Sequence, residues 1–381
     1  MKIKPISFLI TTVFGTSYAN AYNYNYDAST DIVLPFNQIN ERYFLTNNIN
    51  LPINITTSDS LIVHNKGSFH LGFTGKTAKE SASIANSDIN MTVNGNFQIF
   101  NDTWIGKFDT KFFTEYLGLH TDFPYAPIDY NIDVHVTGNI NVELGADKKR
   151  GGLMILSGNV MGTGTTVKVE GDTNIRSGDN HLAGTSSSPA RLITRSFNLT
   201  GGDIEIIGAK TVLETTNNDI QRSSVLIGKT GKMIIMHGAT VDLSRGGNFD
   251  VMDKGQLTSS RGDGFVKLSS NGQLNIDKTA TIESSKGSLH ISDHNNHTSH
   301  LNIAGTLNFG ISETKQYNNI HGDNVNILSY AKISAIDDFI KYSLKYSSSE
   351  INATVLSANN SLNISNINDG ETKPTNSKYL W

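Results

Sequence analysis

Gly272-Gln-Leu-Asn-Ile276, Ala280-Thr-Ile-Glu283, Gly287-Ser-Leu-His-Ile291 and Gly305-Thr-Leu-Asn-Phe309 decide the fold of this chain. Each is a polar turn followed by two apolar residues with one residue between them. Alternation at period two puts both apolar side chains on one face of an extended strand. Three or four residues make no stable sheet alone, but many such pieces do when each pairs with the turn of chain before and after it. That is the logic of a solenoid built of short strands. The expected fold is therefore all-β, a right-handed parallel β-helix with a cap at each end.

The same pattern runs outward from these four segments. Ser60-Leu-Ile-Val63, Ile89-Asn-Met-Thr-Val93, Phe97-Gln-Ile99, Val134-His-Val136 and Ile140-Asn-Val-Glu-Leu144 alternate, as do Val167-Lys-Val169, Ile204-Glu-Ile206 and Val241-Asp-Leu243. Gly-led segments begin at Gly238, Gly255, Gly272, Gly287 and Gly305, a nearly even spacing without a strict repeat. With two or three segments to a coil, a coil near 20 residues gives on the order of a dozen coils. A β-sandwich or antiparallel barrel would need longer strands and two-residue hairpin turns, and the turns here are irregular.

Composition narrows the class. Of 381 residues, 17% are charged, against roughly 25% in an average soluble protein; Asn, Ser, Thr and Gly take their place. The formal net charge is -4, and without Lys2 and Lys4 there are 29 basic residues against 35 acidic. No basic stripe of the kind nucleic-acid binding needs is evident in the linear sequence, so nucleic acid is not an expected partner. With no cysteine, there is neither a disulfide staple nor thiolate chemistry.

The amino terminus reads as an export signal. Met1-Lys-Ile-Lys4 is a positive leader, Ile6 to Gly15 a short apolar stretch, and Ala19-Asn-Ala21 a small-x-small cleavage site. The apolar run falls well short of the ~20 residues that cross a bilayer. Residues 1–21 are the expected signal peptide, 22–60 an N-terminal cap, 61–320 the β-helix, 321–358 a C-terminal cap and 359–381 a polar tail. One stretch breaks the repeat. Residues 101–130 hold eight of the chain's 32 aromatic residues. Phe108, Phe112 and Tyr116 recur every four residues and Gly118 follows, as in a short helix. This excursion, with Trp104, is either packing for the coil beneath it or a ligand-facing subdomain.

At the other end, His321-Gly-Asp-Asn-Val-Asn-Ile-Leu-Ser-Tyr-Ala-Lys-Ile333 is followed by Phe339, Tyr342-Ser-Leu-Lys-Tyr346 and Ala353-Thr-Val-Leu356. This resembles the C-terminal end of the passenger domains of Gram-negative autotransporters, of the pertactin type. There a Gly-Asp leads into an apolar strand ending in Tyr, then a loop with Phe, a Leu-x-Tyr strand and a closing apolar strand. The resemblance implies that Val325, Ile327, Leu328, Tyr330, Phe339, Leu344 and Tyr346 close the solenoid. It also implies export to the surface of, or secretion from, a Gram-negative bacterium. Ile336-Asp-Asp338 stands where the family has Gly before the Phe. The stretch from Ser357 to Trp381 is polar and too short for a membrane barrel, which takes at least eight strands of about ten residues. The expectation is a passenger-like chain whose barrel, if it uses one, is encoded separately; without one it stays in the periplasm. Two-partner secreted adhesins are also β-helices, but their amino-terminal Asn-Pro motifs are absent.

Candidate chemistry is sparse. There is no Gly-Asp-Ser-Gly of serine-protease passengers and no Gly-Asp-Ser near the mature start. A β-helical lyase or glycoside hydrolase needs carboxylates at a defined separation on one flank, and Asp242, Asp250 and Asp253 are the candidates. Arg261-Gly-Asp263 lies between strands, where Gly262 and Gly264 suggest an exposed turn. Such a tip can be read by an integrin through Arg and a metal-completing Asp, or it is a turn that needs those residues for geometry. His290, His294, His297 and His300 around Asp293 are a compositional hint of metal binding, outweighed by a solvated loop; no metal or cofactor is expected. The expected function is a non-enzymatic adhesin that binds a host surface protein, matrix or glycan through Trp104, Phe108, Phe112 and Tyr116 and through Arg261, Gly262 and Asp263. The alternative is a β-helical carbohydrate-active enzyme.

Overall fold

The computed structural model describes residues 88–106, 131–145, 151–157, 163–219, 221–269, 272–293 and 300–309, and beyond them strands between residues 21 and 71 and between 318 and 365. Among the described residues all regular structure is β, and every strand pairing is parallel. Three sheets run the length of the molecule, two of twelve strands and one of eleven. From Ala21–Tyr24 to Lys332–Ala335 successive strands go to the first, second and third sheet in turn, so each stacks on the one three before it; Thr354–Ala358 and Leu362–Ser365 then pair with Lys332–Ala335 and Asn318–His321. Ile132–Val136, for example, lies between Ile89–Val93 and Thr165–Val169. This is a parallel β-helix of triangular section.

The interior follows from the alternation. In the second sheet Phe97, Ile140, Thr173, Phe197, Val225, Phe249, Leu274 and Leu301 stack in one column. Ile99, Val142, Ile175, Leu199, Ile227, Val251, Ile276 and Ile303 stack in the next, and both columns are buried. Burying an aliphatic or aromatic side chain of this size contributes roughly 1.5–3 kcal/mol, so each coil is held chiefly by its neighbours. The residue between the two columns faces outward. Asn174 donates to Asn141 at 2.9 Å and Asn198 to Asn174 at 2.9 Å. Further along, Asn302 donates to Asn275 at 2.8 Å. The Asn-rich composition thus builds amide ladders on the flank.

The glycine spacing has a geometric origin. One full coil carries the chain from Ala239 to its register partner Gly264, and the next coil carries it from Gly264 to Leu289. Gly238, Gly255, Gly272, Gly287 and Gly305 open strands of the first, third, second, first and third sheets. The step from Gly238 to Gly255 is therefore two thirds of a coil, and glycine marks every second strand. Elsewhere the coil lengthens, as between the register partners Ile89 and Ile132. The first-sheet strand Ala21–Tyr24 already pairs with Ile53–Thr57, so residues expected to form a cap take the three-sheet winding. At the far end, Asn324–Ile327 stacks on His300–Ile303, which places Val325 and Ile327 in register with Leu301 and Ile303. Leu328, Tyr330, Phe339, Leu344 and Tyr346 lie outside the described residues.

Three of the long intervals in the winding share one place; another, 336–353, joins two third-sheet strands. Residues 35–52, 72–88 and 107–131 each run from a third-sheet strand to the next first-sheet strand. The number of residues between third- and first-sheet strands thus varies from coil to coil while the strands keep their parallel pairing.

Candidate functional site

The described residues of both stretches expected to bind, Trp104 and Arg261–Asp263, border this corner. Trp104 is in the strand Thr103–Gly106, an ordinary third-sheet rung, so these four residues of the expected 101–130 excursion belong to the sheet. The strand ends at Gly106, which has φ +135° and where a β-carbon would lie 1.8 Å from the Leu156 carbonyl oxygen. Phe108, Phe112 and Tyr116 lie outside the described residues. Trp104 faces outward in a column that comes from the register positions of Val33 and His70 and continues through Met154, His181, Glu205, Ile234 and Thr258. It packs against Met154, Leu156, Ala183, Ile207, Ile234 and Met236, a second apolar cluster apart from the interior. Of the two roles open to Trp104, packing is the one its contacts fit. His181 is buried in this column, its Nδ1 3.5 Å from a Glu205 carboxylate oxygen.

Thr258 lies in the same column five strand spacings from Trp104, about 24 Å at ~4.8 Å per strand, and the column continues through Glu283 and Asn308. Two residues past Thr258 the chain reaches the corner at Ser260-Arg261. The motif there differs from the expected exposed turn. Arg261 is exposed at a bend, but Gly262–Leu268 is a seven-residue strand. Gly262 is required by φ +58° and by His237, whose Cα a β-carbon would approach to 3.2 Å. Asp263 pairs in register with Ser288, which donates to its carboxylate at 2.5 Å, and His290 lies 3.9 Å from it. The Asp263 carboxylate is thus committed within the protein, which separates it from Arg261 as a recognition unit. Phe265 stacks on His290 with ring centroids 5.0 Å apart.

Ser288, His290 and Asp263 are the residue types of a hydrolytic triad, in the wrong order. The Ser288 hydroxyl stands between the other two and is fully buried. A nucleophile must be reachable, with the base between it and the carboxylate. The cluster is a structural clasp between two coils.

Burial lowers the His290 pKa from its ordinary value, the Asp263 charge and hydrogen bond opposing it more weakly. The folded state therefore resists protonation more than the unfolded chain does. Stability contributed by neutral His290 is full above about pH 6.5 and is lost as pH falls below it. Melting curves of wild type and His290→Gln from pH 7.5 to 5, values on the order of the ordinary range for His, should show a shallower acid decline in the variant. Parallel declines would refute the role.

The remaining candidates separate. Asp242 faces outward on the first sheet and accepts from the Ser244 backbone. Asp250 is on the second sheet, nearly buried, and accepts from Ser223 and Asn275. Asp253 is exposed in the following turn with φ 48°. They were expected on one side; three sheets per coil put them on different faces. His290 is in a first-sheet strand and His300 opens a second-sheet strand, while His294 and His297 lie outside the described residues. Among the described residues no three His, Asp or Glu side chains are grouped to hold a metal ion.

Family models, curated proteins and solved structures offer no match to the chain.

What the linear sequence did not disclose is the other half of the corner. Lys210, His237, Arg261 and Lys286 occupy the third-to-first turns of four consecutive coils. Lys210, Arg261 and Lys286 are exposed and His237 is half-exposed.

Proposed function

We propose that this chain is a secreted or surface-displayed, non-enzymatic adhesin of the passenger type. It attaches to a host surface protein, matrix or glycan through the corner between its third and first sheets. What carries this reading is the division of the molecule. Its interior is a stack of apolar columns, while three of the long intervals in the winding fall at one corner of the stacked sheets. Excursions from a rigid scaffold are where recognition usually resides, and stacked repeats offer extended faces for it. The signal-like amino terminus and the resemblance of residues 321–356 to autotransporter passengers support export, through a separately encoded outer-membrane barrel or to the periplasm without one.

The test uses the chain from Tyr22 and a variant in which 108–129 is replaced by a short Gly-Ser linker. This deletion spares Thr103–Gly106 and with it the Trp104 column. The expected result is an unchanged β-type circular dichroism spectrum and melt, with attachment to cultured host cells reduced to background. Attachment equal to wild type, with the fold intact, would overturn the assignment of binding to this excursion.

A further inference from the structure

We infer that Asn94-Gly95 is a deamidation site which the coils on either side hold unreactive, so that it converts only when these coils open. The inference stands apart from the adhesive reading and does not depend on it.

The chain has Asn before Gly at 94 and at 271, and Asn271 lies outside the described residues. Asn94, Gly95 and Asn96 form the turn between Ile89–Val93 of the first sheet and Phe97–Ile99 of the second. The fold uses both members of the pair. Gly95 has φ +131°, and a β-carbon on it would lie 2.6 Å from the Ser60 hydroxyl oxygen and 3.0 Å from the Ser60 nitrogen. Asn94 reaches back one coil. Its Nδ2 donates to the Thr57 carbonyl at 2.9 Å and its backbone nitrogen to the Thr57 hydroxyl at 3.1 Å. Glycine recurs at this turn in the next two coils, as Gly138 and Gly171, but there Thr137 and Glu170 precede it.

A pair so placed is chemically labile. The deprotonated Gly95 nitrogen attacks Asn94 Cγ, and the new C–N bond closes a five-membered succinimide. The Cγ–Nδ2 bond breaks and ammonia leaves, the Gly95 proton reaching it through solvent. Water then opens the ring at either carbonyl and leaves Asp or isoaspartate at 94. Glycine permits the closure because it has no β-carbon to obstruct it. The ladder asparagines Asn141, Asn174 and Asn198 are followed by Val142, Ile175 and Leu199, whose side chains impede the same step.

The reaction needs a released Gly95 nitrogen and an Asn94 side chain that can swing over it, and the winding denies both. The Gly95 N–H donates to the Thr137 hydroxyl of the following coil at 2.8 Å and to the Val93 carbonyl at 3.1 Å. Thr57 of the preceding coil holds the Asn94 amide. Gly138 donates to the Gly95 carbonyl at 2.8 Å, and the Asn96 nitrogen to the Ser60 hydroxyl at 3.0 Å. Asn94 is itself exposed, so water is at hand once these bonds release. Conversion then acts in one direction. A carboxylate at 94 faces the Thr57 carbonyl without a proton to donate, and isoaspartate adds a methylene to the main chain, so neither refits the turn.

The experiment incubates the chain from Tyr22 in native buffer and in urea. The peptide containing Asn94 is assayed by mass for amide-to-acid conversion and enzymatically for isoaspartate. Folded wild type should convert far more slowly than the unfolded chain. Thr137 is exposed, so Thr137→Val removes its hydroxyl with little loss of packing. Conversion at 94 should then rise about five-fold, the shift in a local opening equilibrium on losing one hydrogen bond. Thr137→Ser keeps the hydroxyl and should convert at the wild-type rate. Hydrogen exchange at the Gly95 amide should follow the same order, while the Thr173 amide, bonded to the Ser196 carbonyl at 2.9 Å, stays protected in all three. Equal rates in folded and unfolded wild type, an unchanged rate in Thr137→Val, or Thr137→Ser as fast as Thr137→Val would each overturn the inference. Protection lost equally at Thr173 and Gly95 would assign the rise to general unfolding and overturn it as well.

Discussion

Phe197→Ala should lower the stability of the rod by about 3–5 kcal/mol, the range for deleting a fully buried aromatic ring. Phe197 is wholly buried in the second-sheet column, between Thr173 in one neighbouring coil and Val225 in the other. The strand Phe197–Leu199 has three residues, so the ring is one of two side chains that fill the interior there. The stack offers little room to collapse, since the backbones above and below are pinned by hydrogen bonds on all three sheets. Chemical denaturation measures the loss, and limited proteolysis locates it. In a solenoid each coil depends on its neighbours, so new cleavage should centre on residues 173–227. A loss under about 1 kcal/mol would contradict the stacked-column account.

Asn180→Ala should cost about 3 kcal/mol without removing any apolar contact. Asn180 is almost completely buried at the corner between the second and third sheets. Its Oδ1 accepts from the Leu153 backbone at 2.8 Å, and its Nδ2 donates to the carbonyls of Gly178 at 3.1 Å and Asp203 at 2.9 Å. One amide thus ties three successive coils. Alanine leaves a buried donor and two acceptors without this partner, at about 1–3 kcal/mol for each group truly stranded. Asp in its place keeps the acceptor but sets a buried carboxylate against the Gly178 and Asp203 carbonyls, so Asn180→Asp should cost at least as much as Ala. Hydrogen exchange at the Leu153 amide is the specific readout; unchanged protection in Asn180→Ala would defeat the proposal.

The contrast between these two positions marks what the sequence makes legible. Phe197-Asn-Leu199 announces itself through period-two alternation, a local signal that survives any coil length. The fold class follows from many such signals. Asn180 looks like any turn asparagine, because its partners at 153 and 203 are reached through the winding and not along the chain. The same limit hides the basic corner. Lys210, His237, Arg261 and Lys286 stand a whole coil apart from one another, so no short window on the sequence contains two of them, and the spacing drifts with the length of each turn. It also explains why Asp242, Asp250 and Asp253 looked like neighbours. The short run from Asp242 to Asp253 crosses from one sheet to the next and past a corner. Arg261-Gly262-Asp263 was legible as a motif, but the strand that absorbs Gly262 and Asp263 depends on pairing with Gly287 and Ser288 in the following coil.

The parallel register also governs how such a chain can acquire its structure. Every strand finds its partner one coil back, as Gly264 finds Ala239 and Leu289 finds Gly264, and none waits for the far terminus. A chain emerging end-first from a narrow opening can thus add one coil at a time to a template already in place. Each added coil buries fresh apolar surface and closes a fresh set of hydrogen bonds on three sheets, so sliding backward means breaking a complete layer. The molecule is a ratchet whose tooth is a single coil, and its own folding can supply a directional pull.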